Sequence, residues 1–214
     1  MGNLVHHPKS IPPVTQTPSP EIPVLMNPEP WNADTETATL EEALDIGDVD
    51  RVTDHLMQGE MVPGALLRAV QHHHAQMVRV LLAYGASYDE VVEGTTAFRW
   101  ACQNSLEMAT LLVEYGADLK SPDTQGQTPL HWACEAEQYS IIRYLLDFGM
   151  QPDQQDAQGD TALIIAARKH HLSAILLLLR RGADPRLVNH QGLSASQMVD
   201  EPWLVDLIHS NAQP

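Results

Sequence analysis

Leu130, Ala133 and Cys134 stand at i, i+3 and i+4, and the same apolar spacing returns at Phe98, Ala101 and Cys102 and at Leu163, Ala166 and Ala167. On a helix of about 3.6 residues per turn each set forms one stripe. The small members of the stripe predict first helices that approach their neighbours closely. A second apolar run follows each set and predicts a second helix. The clearest is Ile141, Ile142, Leu145 and Leu146, which stops at Gly149, where a residue able to adopt the left-handed conformation ends a helix cheaply. Ahead of the first stripe, the Thr128 hydroxyl is placed to cap a helix whose first position is Pro129, where a missing N–H costs nothing. Thr96 and Thr161 repeat that start.

The pattern is periodic. Glycines at 94, 126, 159 and 192 recur at spacings of 32, 33 and 33, and Gly85, Gly116, Gly149 and Gly182 recur at 31, 33 and 33. Two series locked to one period predict an all-α solenoid of paired antiparallel helices joined by short hairpin loops. No single pair buries both of its helices, so stability comes from neighbouring pairs and the ends must be modified to face water. Toward the N-terminus, Leu40, Ala43, Leu44, Val52 and Leu56 keep the register of a first repeat, and Leu66, Ala69, Val70, Leu81 and Leu82 that of a second. From Gly59 to Leu66 is only 7 residues, whereas Gly116 to Leu130 and Gly149 to Leu163 are each 14. A hairpin is therefore expected to be missing between repeats one and two. At the far end Leu207 and Ile208 keep the register, and Glu201-Pro202-Trp203 is expected to truncate the second helix of a capping repeat.

Thr128-Pro129-Leu130-His131-Trp132-Ala133, a paired-leucine helix and the exits Gly116-Ala117-Asp118 and Gly182-Ala183-Asp184 together resemble the ankyrin-repeat signature. The expected domain spans residues 36–210, with repeats at about 36–60, 61–90, 91–123, 124–156 and 157–189 and a cap at 190–210. Residues 1–35 carry eight prolines in the first thirty positions and no periodicity, which reads as a disordered, partly polyproline tail. Thr17-Pro18 and Ser19-Pro20 in that tail have the form of phosphorylation sites. Met1-Gly2-Asn3 is similar to the start of a myristoylation site, but His6 stands where that pattern requires Ser or Thr.

Composition narrows the function. Twenty-eight acidic against twelve basic residues give a net charge of -16, which opposes binding to a phosphate backbone. The acidic residues gather early, from Asp34 to Glu60, and Arg168, Lys169, Arg180, Arg181 and Arg186 gather late. The acidic end either steers a basic partner or serves solubility. No apolar run reaches the roughly 20 residues that span a bilayer. Two cysteines argue for a reducing compartment, cytosol or nucleus, rather than a disulfide framework. Both fall on the buried stripe, which predicts inert thiols. The eleven histidines include His72-His73-His74 and His170-His171, but the repeat register separates these groups by roughly 30 Å, too far to share an ion. No phosphate loop, nucleophile elbow or zinc-protease signature is present. No catalytic residue, cofactor or metal site is expected.

A protein partner is expected instead, with the chain alone a monomer. Trp100 and Trp132 follow Phe98 and Leu130 by two positions, about 200° round a helix from the stripe. That places them either on the floor of a concave groove or between neighbouring first helices in the core. With Arg68 and Ile165 in the same register, the groove floor would read Arg, Trp, Trp, Ile, and Trp and Arg are enriched at binding hot spots. The family resemblance implies that partners are gripped by loop tips and the exposed ends of first helices. Residue by residue this points to Val92, Glu93, Thr95, Gln103 and Asn104, then to Thr124, Gln125, Gln127 and Glu135, and then to Ala157, Gln158, Asp160, Arg168 and Lys169. It also gives His131 a structural role, tying its own turn to the next; Arg99 and Ile164 replace it in the adjacent repeats, so that network is expected to be incomplete. The expected function is an adaptor, inhibitor or co-regulator of a partner protein, with transcription regulators among the candidate partners. An apolar pocket around Trp100 and Trp132, for a small molecule or for isomerase or cyclase chemistry, is the alternative.

Overall fold

A computed structural model of the chain describes residues 39–119 and 122–210. The proline-rich tail, with its phosphorylation and myristoylation expectations, lies outside them. Five helical pairs follow in order: α1 (Leu40–Ile46) with α2 (Val49–Met57), α3 (Ala65–Gln71) with α4 (Ala75–Ala83), α5 (Ala97–Asn104) with α6 (Leu106–Glu114), α7 (Pro129–Glu135) with α8 (Tyr139–Asp147), and α9 (Ala162–Arg168) with α10 (Leu172–Arg180). A single 3-10 turn, Ala195–Gln197, and α11 (Pro202–Ser210) close the stack. First helices pack on first helices along one row and second helices on second helices along the other.

The stripe residues hold this arrangement. Leu130, Ala133, Cys134 and their equivalents in the flanking repeats are all buried, as are Ile141, Ile142, Leu145 and Leu146. Each large aliphatic side chain so removed from water contributes roughly 1.5–3 kcal/mol. Helix starts are set locally. The Thr96 hydroxyl accepts from Arg99 N–H (3.1 Å), the Thr161 hydroxyl accepts from Ile164 N–H (3.3 Å), and Thr39 and Glu42 form a reciprocal capping box at α1.

Two irregularities have structural causes. The α5–α6 junction is one residue, Ser105, which closes α5 and caps α6 by accepting from Met108 N–H (3.4 Å). The corresponding turns at His73, Glu137 and His170 pass through a left-handed residue, with φ of 57°, 55° and 58°. Phe98 to Gly116 is thereby 18 residues against 19 from Leu130 to Gly149, and Gly85 to Phe98 is 13 against 14 from Gly116 to Leu130, which together account for the 31-residue glycine spacing. The cap corrects a sequence expectation: its second helix, α11, is as long as those before it, and its first helix is reduced to the 3-10 turn. Proline disfavours helical backbone in the residue before it, so Pro202 halts the chain at Glu201 and starts the second helix early.

Candidate functional site

The hairpins that link successive pairs are built on one recurring device. The Oδ1 atom of Asp123 accepts from the N–H groups of Gln125 (2.8 Å) and Gln127 (2.9 Å). Asp156 does the same for Gln158 (2.9 Å) and Asp160 (2.8 Å), and Asn189 for Gln191 (3.0 Å) and Leu193 (3.1 Å). These short polar side chains hold their own loops closed. Successive loops then join through backbone bonds, Ala157 N–H to Gln125 C=O (2.8 Å) and His190 N–H to Gln158 C=O (3.0 Å). The approach is so close that a Cβ on Gly126 or Gly159 would come within 2.9 Å and 2.8 Å of the neighbouring backbone, which restricts both positions to glycine.

His131 and Asp160 extend this tie inward. His131 is buried; its Nδ1 accepts from Thr128 N–H (3.0 Å), so the proton sits on Nε2 and is donated to Asp160 C=O (3.2 Å). Burial lowers its pKa below the ordinary imidazole value, against an opposing pull from Asp156. The buried Asp160 carboxylate accepts from Arg168 and from Asn189 Nδ2 (2.9 Å). Three repeats therefore meet at one residue. The expected gap in the histidine network is closed on the other side by Arg99, whose guanidinium reaches Asp123 (2.7 Å) and Gln127 (3.3 Å) of the next hairpin.

Arg99 also explains why two tryptophans in one register have different fates. Its guanidinium lies 5.5 Å from the Trp132 ring centre, Trp132 Nε1–H donates to Asp123 (3.3 Å), and Phe98 meets the indole edge-on. Trp132 is 5% exposed. For Trp100 the residues in the positions of Arg99 and Asp123 are Leu67 and Val91, which offer neither cation nor carboxylate. Trp100 is half-buried, packed against the core and meeting exposed His73 at 5.6 Å. The expected groove floor is corrected accordingly: Trp132 and Ile165, 4% exposed, belong to the core, and Asp160 is a structural node rather than a loop-tip contact. Gln127 is likewise occupied by Arg99.

The accessible remainder forms a graded surface on the first helices. Arg68 faces Asp45 (3.5 Å) and Glu41 (3.8 Å) of the repeat before it, and Lys169 faces Glu135 (3.8 Å). Between these ion pairs lie Trp100, Gln103 and exposed Asn104. Glu93, Thr124, Gln125 and Gln158 are exposed at the tips, and Thr95 is half-buried. Gln158, Asp160 and Arg168 converge with Asn189, His190 and Gln191 on a polar recess of about 460 Å³ between the last two hairpins. His190 and Gln191 were not anticipated from the sequence, although the 33-residue step from Gln158 to Gln191 marks the position.

The remaining candidate chemistry resolves into structure. Burial pushes the Cys102 and Cys134 thiols far up, which leaves them without thiolate character. His72 stacks on His74 at 5.7 Å while His73 turns to Trp100, and His171 Nδ1–H donates to Cys134 C=O (2.9 Å). Among the described residues no group of three His, Cys, Asp or Glu side chains could hold a metal, and no helix is long and apolar enough to cross a membrane.

Comparison with known proteins agrees with this architecture. Residues 40–123 and 118–189 match a family model described as ankyrin repeats in three copies. Protein phosphatase 1 regulatory subunit 27 of Mus musculus is 35% identical over 95 residues, 44% of this chain and 53% of that protein; the Homo sapiens protein is 35% identical over 94 residues, with the same coverage. Palmitoyltransferase AKR1 of Saccharomyces cerevisiae is 41% identical over 56 residues, 25% of this chain and 7% of that protein. The chain thus spans about half the length of the first relatives and a small part of the last.

Proposed function

Because the chain belongs to the ankyrin-repeat family, we propose that it is a non-enzymatic interaction module, an adaptor, inhibitor or co-regulator that grips a partner protein along its first helices and hairpin tips. The observation that carries this reading is the half-buried Trp100 set between two inter-repeat ion pairs, Asp45 with Arg68 and Glu135 with Lys169. A binding hot spot has that form: an aromatic anchor ringed by polar contacts that exclude water once the partner is seated. The tips supply discrimination, because Glu93, Thr124 and Gln158 differ in chemistry while the framework beneath them repeats.

Two partner classes follow for testing. Similarity to a protein phosphatase 1 regulatory subunit supplies a protein phosphatase. The compact, acidic stack led by a proline-rich segment resembles the ankyrin inhibitors and co-regulators of transcription factors, and supplies the second. A small-molecule or isomerase site around both tryptophans has no geometric support, since Trp132 faces Phe98 in the core and Trp100 faces His73. The cytosol and nucleus are the compartments proposed for the activity.

Affinity capture with wild type and Trp100→Ala, followed by direct binding to each captured protein, tests the reading. Trp100→Ala is expected to weaken the partner by roughly 2 kcal/mol or more, about thirtyfold, with helicity unchanged. Equal binding by both forms would overturn the assignment.

A further inference from the structure

The place of the missing hairpin leaves a notch lined by apolar side chains and edged by Ser87 and Glu90. From Met57, the end of α2, the chain turns directly to Ala65, the start of α3, and Met61, Val62, Pro63 and Leu66 line a cavity of about 180 Å³ with Ala86 and Glu90 of the next connection. Met61 is 42% exposed and Val91, at the tip of that connection, 69%. Val91 stands where the later hairpins place Asp123, Asp156 and Asn189, the side chains that close their own loops. The hairpin ahead of α5 closes differently. Glu93 and Gly94 both take positive φ, 52° and 81°, in a tight turn bridged by Val92 and Thr95. Val92 N–H donates to Thr95 C=O (2.8 Å), whereas its equivalents Ala157 and His190 donate to the preceding hairpin. Val92 packs over Gly64, where an added Cβ would meet its methyls at 3.3 Å. Val91 is left with neither a turn to organise nor a hairpin to cover it.

Carboxylates predominate around the notch, of which Glu60 is already paired with His55 (2.6 Å). Glu90 lies at its mouth, its Oε2 accepting from Gly64 N–H (3.1 Å). Glu60 precedes Met61, Asp89 precedes Glu90, and Glu93 follows at the tip. No lysine or arginine occurs between Arg51 and Arg68 or between Arg79 and Arg99. The volume is below the roughly 300–1,000 Å³ of small-molecule sites and suits a single aliphatic side chain.

We propose that this notch docks an extended basic segment of a partner protein, one that inserts a single aliphatic side chain against Met61 and Pro63 and sets Lys or Arg on either side opposite Glu90 and Glu93. Apolar burial provides the anchor, and the acidic rim provides orientation and speeds encounter. The site shares only the tip residue Glu93 with the surface proposed above, does not include Trp100, and stands whether or not that surface binds.

The test uses the full chain with three fluorescent peptides: Lys-Arg-Leu-Lys-Arg, Lys-Arg-Ser-Lys-Arg and Glu-Glu-Leu-Glu-Glu. Binding is read by anisotropy and by the NMR methyl signals of Met61, Val62 and Val91. The leucine-bearing basic peptide is expected to bind and shift those methyls, and the other two to bind at least tenfold more weakly. Val91→Asn, which supplies the side chain the later hairpins carry, is expected to cost roughly tenfold in affinity without lowering the melting temperature. Glu90→Gln, whose amide oxygen still accepts from Gly64, is expected to cost a few-fold and to flatten the salt dependence. Equal binding of the serine peptide, shifts centred on Trp100, or no binding by the leucine peptide would overturn the proposal. So would a concentration-dependent dimer of the chain abolished by Val91→Asn, since the notch would then hold a second copy. Because Trp100 is untouched in these variants, failure here leaves the groove reading to its own test.

Discussion

Repeats four to six and repeats one to three share a helical plan but are joined by different means. The later repeats are joined twice, by helix packing and by a row of hairpins whose Asx loops, tip-to-tip backbone bonds, His131 and Asp160 cross every boundary. The earlier repeats lack one hairpin, close the next on itself, and add to the helix packing between α1 and α3 part-exposed polar pairs, Arg68 with Glu41 and Asp45 and His72 with Asp45. Such pairs are worth about 0–1 kcal/mol each. In a solenoid whose stability is a sum of neighbour terms, the later half is therefore the rigid platform and the earlier half the part that opens first.

The difference reaches single residues. Trp132→Ala is expected to cost about 3–5 kcal/mol, because it empties a core site and strands Arg99 over a void, while Trp100→Ala costs about 1 kcal/mol. Chemical denaturation of the two variants checks this, and equal costs would contradict the assignment of one to core and the other to surface. Asp160→Ala follows, at about 2–3 kcal/mol, reduced from the value for a sealed ion pair because Arg168 is part-exposed. Its loss should appear in the melting of repeats four to six and leave α1 to α4 unmoved.

His131 adds a pH dependence confined to the same half. Its folded pKa lies below its unfolded value of about 6.5. Its contribution is therefore complete above that value and is lost as pH falls from there toward the folded pKa, because the unfolded chain takes up the proton first. His131→Gln should cost about 1–2 kcal/mol at neutral pH and flatten the fall in stability below about pH 6.5. A titration as steep as that of the wild type would exclude His131 as the cause. The smallest effect is a gain. Val91→Asp, which installs the loop-closing carboxylate, should raise stability by a few tenths of a kcal/mol, visible as a slightly higher melting temperature.

The fold was legible because its signal repeats. Two glycine series and the stripe at Leu130, Ala133 and Cys134 specify helix faces and loop positions without tertiary knowledge, and the 7-residue step from Gly59 to Leu66 announces the missing hairpin. The candidate surface was legible only in part. Trp100 and Trp132 are indistinguishable by register, and their fates are decided by what the preceding repeat and their own hairpin place over them, Leu67 and Val91 in one case and Arg99 and Asp123 in the other. Asp160 reads as a loop-tip contact until Arg168 and Asn189 are seen to converge on it. The cap differs from its sequence pattern because Pro202 stands at the first position of α11, where a missing N–H does not shorten the helix.

Native-state hydrogen exchange across the stack tests the central contrast most directly. The amides of α7 to α10 are expected to exchange only through global unfolding, and those of α1 to α4 through openings lower by about 2 kcal/mol or more. Uniform protection across α1 to α10, or weaker protection in α7 to α10, would contradict the account.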